Sequence, residues 1–179
     1  MQKIGIISFL LLIGLAAKTQ PPINNWYSFG RTQSILGSVI ATDSCYYAIG
    51  LGASTVPGIW DAGFYKIGFD GNIMNESYLH NDTVSINHMS VIGNPFIATS
   101  DGNFAALAIQ FPYFRFIKYA PSGDTIFTKL ITEFYLNEGY SAYQPADLIQ
   151  LDEDSSFTCT GWVAHNSDMQ SGVNLFNLS

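Results

Sequence analysis

The sequence predicts an all-β fold: β-propeller-like repeats of four-stranded antiparallel blades, with about two and a half blades present. Three observations predict it. One turn-bearing tetrapeptide occurs three times, as Asp43-Ser44-Cys45-Tyr46, Asp101-Gly102-Asn103-Phe104 and Asp154-Ser155-Ser156-Phe157, each time between two apolar runs. From Asp43 to Asp101 is 58 residues and from Asp101 to Asp154 is 53, a period expected of a unit of four short strands. No segment keeps helical spacing for the length a stable helix needs. Gly, Asn, Asp, Ser and Pro interrupt apolar runs filled with Val, Ile, Thr, Tyr and Phe, the residues that suit a pleated, half-buried surface.

In chain order, Met1-Gln2-Lys3 and the apolar run Ile4 to Leu15, followed by Ala16 and Ala17, read as a secretory signal peptide over residues 1–19. The run falls short of the roughly 20 residues a spanning helix needs, so no transmembrane segment is expected in the mature chain. No Cys lies at the cleavage region to accept a lipid. Residues 20–35 form an extended lead-in, stiffened by Pro21-Pro22 and carrying Trp26, Tyr27 and Phe29 to dock on the first repeat. Residues 36–179 are read as an incomplete propeller with repeats at about 36–85, 86–145 and 146–179.

Within each repeat, a hairpin turns at the Asp tetrapeptide and a second hairpin follows. Asp suits the turn because its carboxylate accepts from the backbone two residues on. In the first repeat, Ala53 to Ala62 reads as a loop, Gly63 to Phe69 as a strand, and Asp70-Gly71-Asn72 as the turn into a strand through Ile73 and Met74. The second repeat follows this plan through Tyr113 to Tyr119, turns at Ala120-Pro121-Ser122-Gly123-Asp124, and continues through Ile126 to Ile131. With Phe69 and Tyr119 matched as the residues before the turn, this turn reads as two residues longer than the first. The third repeat begins near Ala146, passes Asp154 and Trp162, and places Leu178 where Phe69 and Tyr119 stand.

These phrases resemble the repeats of secreted, propeller-like proteins of gliding-type Gram-negative bacteria, many of them type IX secretion cargo. The residues carrying the resemblance are Ser38-Val39-Ile40-Ala41-Thr42-Asp43, Phe64 to Ile73, and Ala146-Asp147-Leu148-Ile149-Gln150-Leu151-Asp152. It implies a seven- or eight-bladed propeller in the complete protein, placement outside the cell or at its surface, and no catalytic residues to carry over. Fewer than three blades and no sorting domain suggest the amino-terminal piece of a longer protein.

Charge narrows the function. Signal removal takes Lys3 and Lys18 from seven basic residues, leaving fourteen acidic ones in large excess and no basic cluster; nucleic acid is therefore not an expected partner. Carbohydrate or a cell-surface protein is, with Trp60, Tyr113, Tyr135 and Tyr143, and beside them Phe114 and Tyr140, as aromatics that either stack on a ligand or pack between blades. Asp61, Asp82, Glu133 and Glu138 are read in loops, where two carboxylates could converge as acid and base. Asp152-Glu153-Asp154 and Asp70, Asn72, Asn75 and Glu76 offer oxygens to calcium or simply form hairpin tips. His80, His88 and His165 do not supply the convergent ligands of a zinc site and read as structural or solvent-exposed, so no cofactor or metal is expected. Cys45 and Cys159 either pair or remain thiols. The expected function is an exported binding or scaffold module of unknown ligand, with no catalytic residue assigned. The alternative is part of a propeller hydrolase or lyase acting on extracellular polysaccharide.

Overall fold

The computed structural model describes residues 31, 34–87, 93–131, 140–151, 156–165, 168–170 and 176–178; for 140–144 and beyond 161 it describes the backbone alone. The signal and most of the lead-in, with Trp26, Tyr27 and Phe29, lie outside the described residues, as do His88, Glu133, Tyr135, Glu138 and residues 152–155. Three four-stranded antiparallel sheets follow one another along the chain, with no helix among the described residues. The sheets do not close on themselves.

The first sheet is a meander of β1 (Ser34–Ala41), β2 (Cys45–Ala53), β3 (Trp60–Gly68) and β4 (Ile73–Leu79), and the second repeats it with β5 (Phe96–Ala98), β6 (Phe104–Gln110), β7 (Tyr113–Tyr119) and β8 (Thr125–Ile131). In the third, β9 (Tyr140–Gln150) pairs one side of β10 (Phe157–His165). The other side takes β11 (Asp168–Gln170) at the far end of β10 and β12 (Phe176–Leu178) at its start. Strand starts differ from the reading of the sequence in three places, the first being β1, which begins at Ser34 within the expected lead-in. β3 begins at Trp60, ahead of Gly63, and β9 at Tyr140, ahead of Ala146.

The register shows how faithfully the plan repeats. Tyr46, Phe104 and Phe157 lie opposite Ala41, Ala98 and Gln150 on one side. On the other they lie opposite Ile67, Tyr119 and Leu178. Leu178 thus corresponds to Tyr119 and Ile67, not to Phe69, which already belongs to the turn. The second hairpins are also of equal length. Gly68 N–H donates to Asn72 O and Gly71 N–H to Gly68 O, as Ala120 N–H does to Asp124 O and Gly123 N–H to Ala120 O. Thr99 to Asn103 forms the same turn. Its fixed point is the fourth residue, where Gly71, Gly102 and Gly123 adopt φ of 82°, 80° and 90°, a backbone only glycine takes without strain. Matching Phe69, instead of Ile67, with Tyr119 created the apparent two-residue difference.

Packing runs through the second sheet. β6 (FAALAIQ) is buried on both faces, so it reads as a continuous apolar run. Ala106 and Ala108 face the first sheet, in a core with Tyr47, Ile49 and Phe64. Ala105 and Leu107 face the third, with Phe114, Phe116, Leu148 and Phe157. The same aromatic contact seals both layers: Phe64 meets Phe104 at 5.8 Å, and Phe116 in the matching place meets Phe157 at 4.9 Å. Each fully buried Phe contributes about 1.5–3 kcal/mol, and the small Ala side chains of β6 let the sheets approach.

Polar contacts fix the sheets' register on one another. Ser77 donates to Gly123 O at 2.7 Å, Asn75 to Ser122 O, and Ser100 N–H to Gln150 at 2.8 Å. The first strands adjoin, β1 touching β5 and β5 touching β9. Cys45 and Cys159 are both free and buried. They sit in different cores, on opposite sides of the second sheet, which is why they do not pair.

Candidate functional site

A meander sends alternate connections to opposite ends of each sheet. At one end lie the short turns at 42–44, 69–72, 99–103 and 120–124, carrying Asp43, Asp70, Gly71, Asp101 and Gly123. Asp70 and Asp101 each accept from a backbone N–H two residues on, those of Asn72 and Asn103. In the first hairpin it is Thr42, not Asp43, that does this work: its hydroxyl donates to Cys45 O at 2.8 Å and accepts from Cys45 N–H at 3.3 Å. Asp154 lies outside the described residues. Lys118 Nζ lies 2.6 Å from Asp101 Oδ2, and this ammonium, helped by Thr99 and Asn103, holds the Asp101 carboxyl well below the usual range.

The opposite end carries the longer connections and the more varied chemistry. Trp60 opens β3 and Tyr113 opens β7, both half-buried. The link between the sheets ties these ends together. Ser85 Oγ accepts from Trp60 N–H at 3.0 Å, Ile86 N–H donates to Trp60 O, and Asn87 exchanges two backbone bonds with Ile109. Phe114, next to Tyr113, is buried in the core, which gives it a packing role. Of Tyr140 and Tyr143, only the backbone places in β9 are described.

At this end the structure gathers one charged cluster. Asp61 is fully buried and lies within β3, not in a loop as the sequence suggested. Burial of a carboxylate demands partners, and it has two. Arg31 Nη2 lies 3.0 Å from Oδ2, and His80 Nδ1 lies 2.6 Å from Oδ1. His80 Nε2 in turn meets the exposed Asp82 carboxylate at 2.7 Å. Ser54 Oγ stands 3.1 Å from Nδ1 and also accepts from Val56 N–H. The Arg31 guanidinium lies 4.5 Å from the centre of the Tyr78 ring. Hydrogen bonds to Asp61, then to Asp82, raise the His80 pKa above its ordinary value.

The geometry limits what this cluster can do. Both ring nitrogens face carboxylates, an arrangement that favours the doubly protonated ring, the imidazolium. An imidazolium has no lone pair for a serine proton or a metal ion. Ser54 and Asp82 do stand on opposite ring nitrogens, as serine and carboxylate do in a nucleophilic triad, but the buried Asp61 at 2.6 Å competes with Ser54 at 3.1 Å for Nδ1. The arrangement is therefore a clamp that fastens the strand β3, the connection after β4 and the chain before β1 to one another. No family model matches the chain, and no curated protein matches it significantly.

The spacing of Asp61 and His80 gave no sequence signal, since side chains 19 apart meet only through the pairing of β3 with β4. The pair His80-Asn81-Asp82 is readable as two polar side chains on one side of an extended segment. Asp61 and Asp82 do converge, but on His80 and not on an open space. Of the other acidic side chains that are described, Asp43, Asp70, Asp101 and Asp124 lie at the opposite end, Glu76 lies within β4, and Asp147 lies between sheets, where its Oδ1 accepts from Asn94 N–H. A separate apolar feature lies on the outer face of the first sheet. It is a shallow groove of about 300 Å³ lined by Leu36, Gly37, Ser38, Val39, Tyr46, Ala48 and Ile67. Among the described residues, no helix is long and apolar enough to cross a membrane.

Proposed function

We propose that the chain is an exported β-propeller-type repeat segment that acts as a binding or scaffold module outside the cell or at its surface. The observation that carries this reading is the register: two meanders of one plan and a third sheet that shares the register of their first hairpin stack face to face, with matching Phe64–Phe104 and Phe116–Phe157 contacts and adjoining first strands. Inner strands that adjoin are what blades around a common axis require. Such a scaffold presents its connections at two ends. The end with Trp60 and Tyr113 offers half-buried rings that can stack on a sugar or a peptide.

Among the described residues, acidic side chains spread over both ends, which supports a scaffold over a hydrolase or lyase, since these need them gathered around an open site. The clamped His80 points the same way. Binding of the purified chain to immobilised cell-surface polysaccharides and envelope proteins tests the reading. Trp60→Ala and Tyr113→Ala are each expected to weaken the bound ligand about tenfold, roughly 1.4 kcal/mol. Unchanged affinity in both variants would remove this end as the binding surface, and release of sugar fragments by the wild-type chain would favour the enzyme.

A further inference from the structure

The repeat register allows each face of one sheet to be compared with the same face of the next. Val39, Phe96 and Leu148 occupy one position, two residues before the residue that faces Tyr46, Phe104 or Phe157. Phe96 is 0% exposed and Leu148 3%, because the preceding sheet covers each; Val39 is 61% exposed. The neighbouring position behaves in the mirror sense. Ile40 packs on the core between the first and second sheets and Ile97 on the core between the second and third, whereas Ile149 is 57% exposed. Among the described residues, Val39 and Ile149 are thus the two halves of an interface made twice between these sheets and left exposed on the first and on the third.

We propose that the outer face of the first sheet docks the far face of the third sheet of a second copy of this chain, head to tail. The contact continues the order already built between the first and second and between the second and third sheets. The groove beside Val39, Tyr46 and Ala48 lies where, in the second sheet, Phe104 and Ala106 receive Phe64 and Tyr47. A head-to-tail contact uses different surfaces on the two partners, so it propagates until geometry closes it.

Light scattering and sedimentation across a concentration series test this, using the purified chain, Val39→Lys and Ile149→Glu. Both substitutions fall on exposed positions and leave the internal cores untouched. The wild-type mass is expected to rise with concentration beyond a dimer, and each variant alone is expected to stay at the monomer mass. An equimolar mixture of the two should stop at twice that mass, because one supplies an intact first sheet and the other an intact third. Three results would overturn the proposal: a wild type that stays monomeric throughout, association insensitive to both substitutions, or association lost with Val39→Lys but unaffected by Ile149→Glu. The last would mean a symmetric contact between two first sheets.

Discussion

The first and second sheets share a plan and a register but differ in what covers them. The second is covered on both faces, and its central strand alternates Ala and larger side chains toward two neighbours. The first has one face on the second sheet and an outer face where Tyr65, Ile67 and Ala48 form a small cluster of their own beside the open groove. The difference shows that strand pattern sets the sheet, while position in the stack decides which face becomes core.

The sharpest way to break the comparison is to remove one aromatic from each face of the first sheet. Phe64 is fully buried and meets Tyr47, Phe96, Phe104 and Tyr119. Phe64→Ala should cost about 3–5 kcal/mol in denaturant unfolding, the usual penalty for emptying such a site. Tyr46, on the outer face, meets Phe69 edge-on at 5.0 Å and remains half-buried. Tyr46→Ala should cost no more than about half as much, since a partly exposed ring forfeits less transfer energy and leaves no closed cavity. Equal losses would mean that the outer face is as fully packed as the inner one.

Two glycines of identical turn conformation separate backbone strain from contact between sheets. At Gly102 a Cβ would meet nothing within 4 Å, whereas at Gly123 it would come within 2.6 Å of Ser77 Oγ and 3.3 Å of the Phe64 ring. Gly102→Ala should therefore cost about 1–2 kcal/mol, the left-handed strain alone. Gly123→Ala should cost more, because the turn must also withdraw from the first sheet and loosen the Ser77 bond to Gly123 O. If thermal unfolding finds the two equal, the turn at 120–124 does not hold the sheets together.

What was legible in the sequence follows from the range of each interaction. The Asp tetrapeptides aligned Cys45 with Asn103 and Ser156 in agreement with the observed pairing, because turn and strand signals are local. The all-β class was legible for the same reason. The equal length of the second hairpins was hidden because Phe69, an aromatic directly before Asp70-Gly71-Asn72, looks like a strand end equivalent to Tyr119, whereas it already belongs to the turn and Ile67 holds that place. Asp61 looked like a loop residue because a lone carboxylate is costly in a core. Only the fold brings Arg31 and His80 to it, from positions 30 before and 19 after.

That clamp gives the smallest and most specific expectation, a pH dependence confined to one end of the first sheet. The His80 pKa is raised in the folded chain, chiefly by Asp61 and then by Asp82, so folding favours the protonated ring. Its contribution is fully present below the unfolded value of about 6.5 and is lost as pH rises through the higher folded value. Arg31 Nη2, 3.0 Å from Asp61 Oδ2, keeps Asp61 paired when the imidazolium is gone, which limits the loss to the tether of the connection after β4. Unfolding free energy measured across this window should fall more steeply for the wild type than for His80→Gln, and the slopes should converge below it. Asp61→Asn removes the larger cause of the shift and should bring the wild-type slope close to that of His80→Gln. Parallel slopes for the wild type and His80→Gln would show that His80 carries the same charge in the folded and unfolded chains, and the clamp would then rest on Arg31 and Asp61 alone.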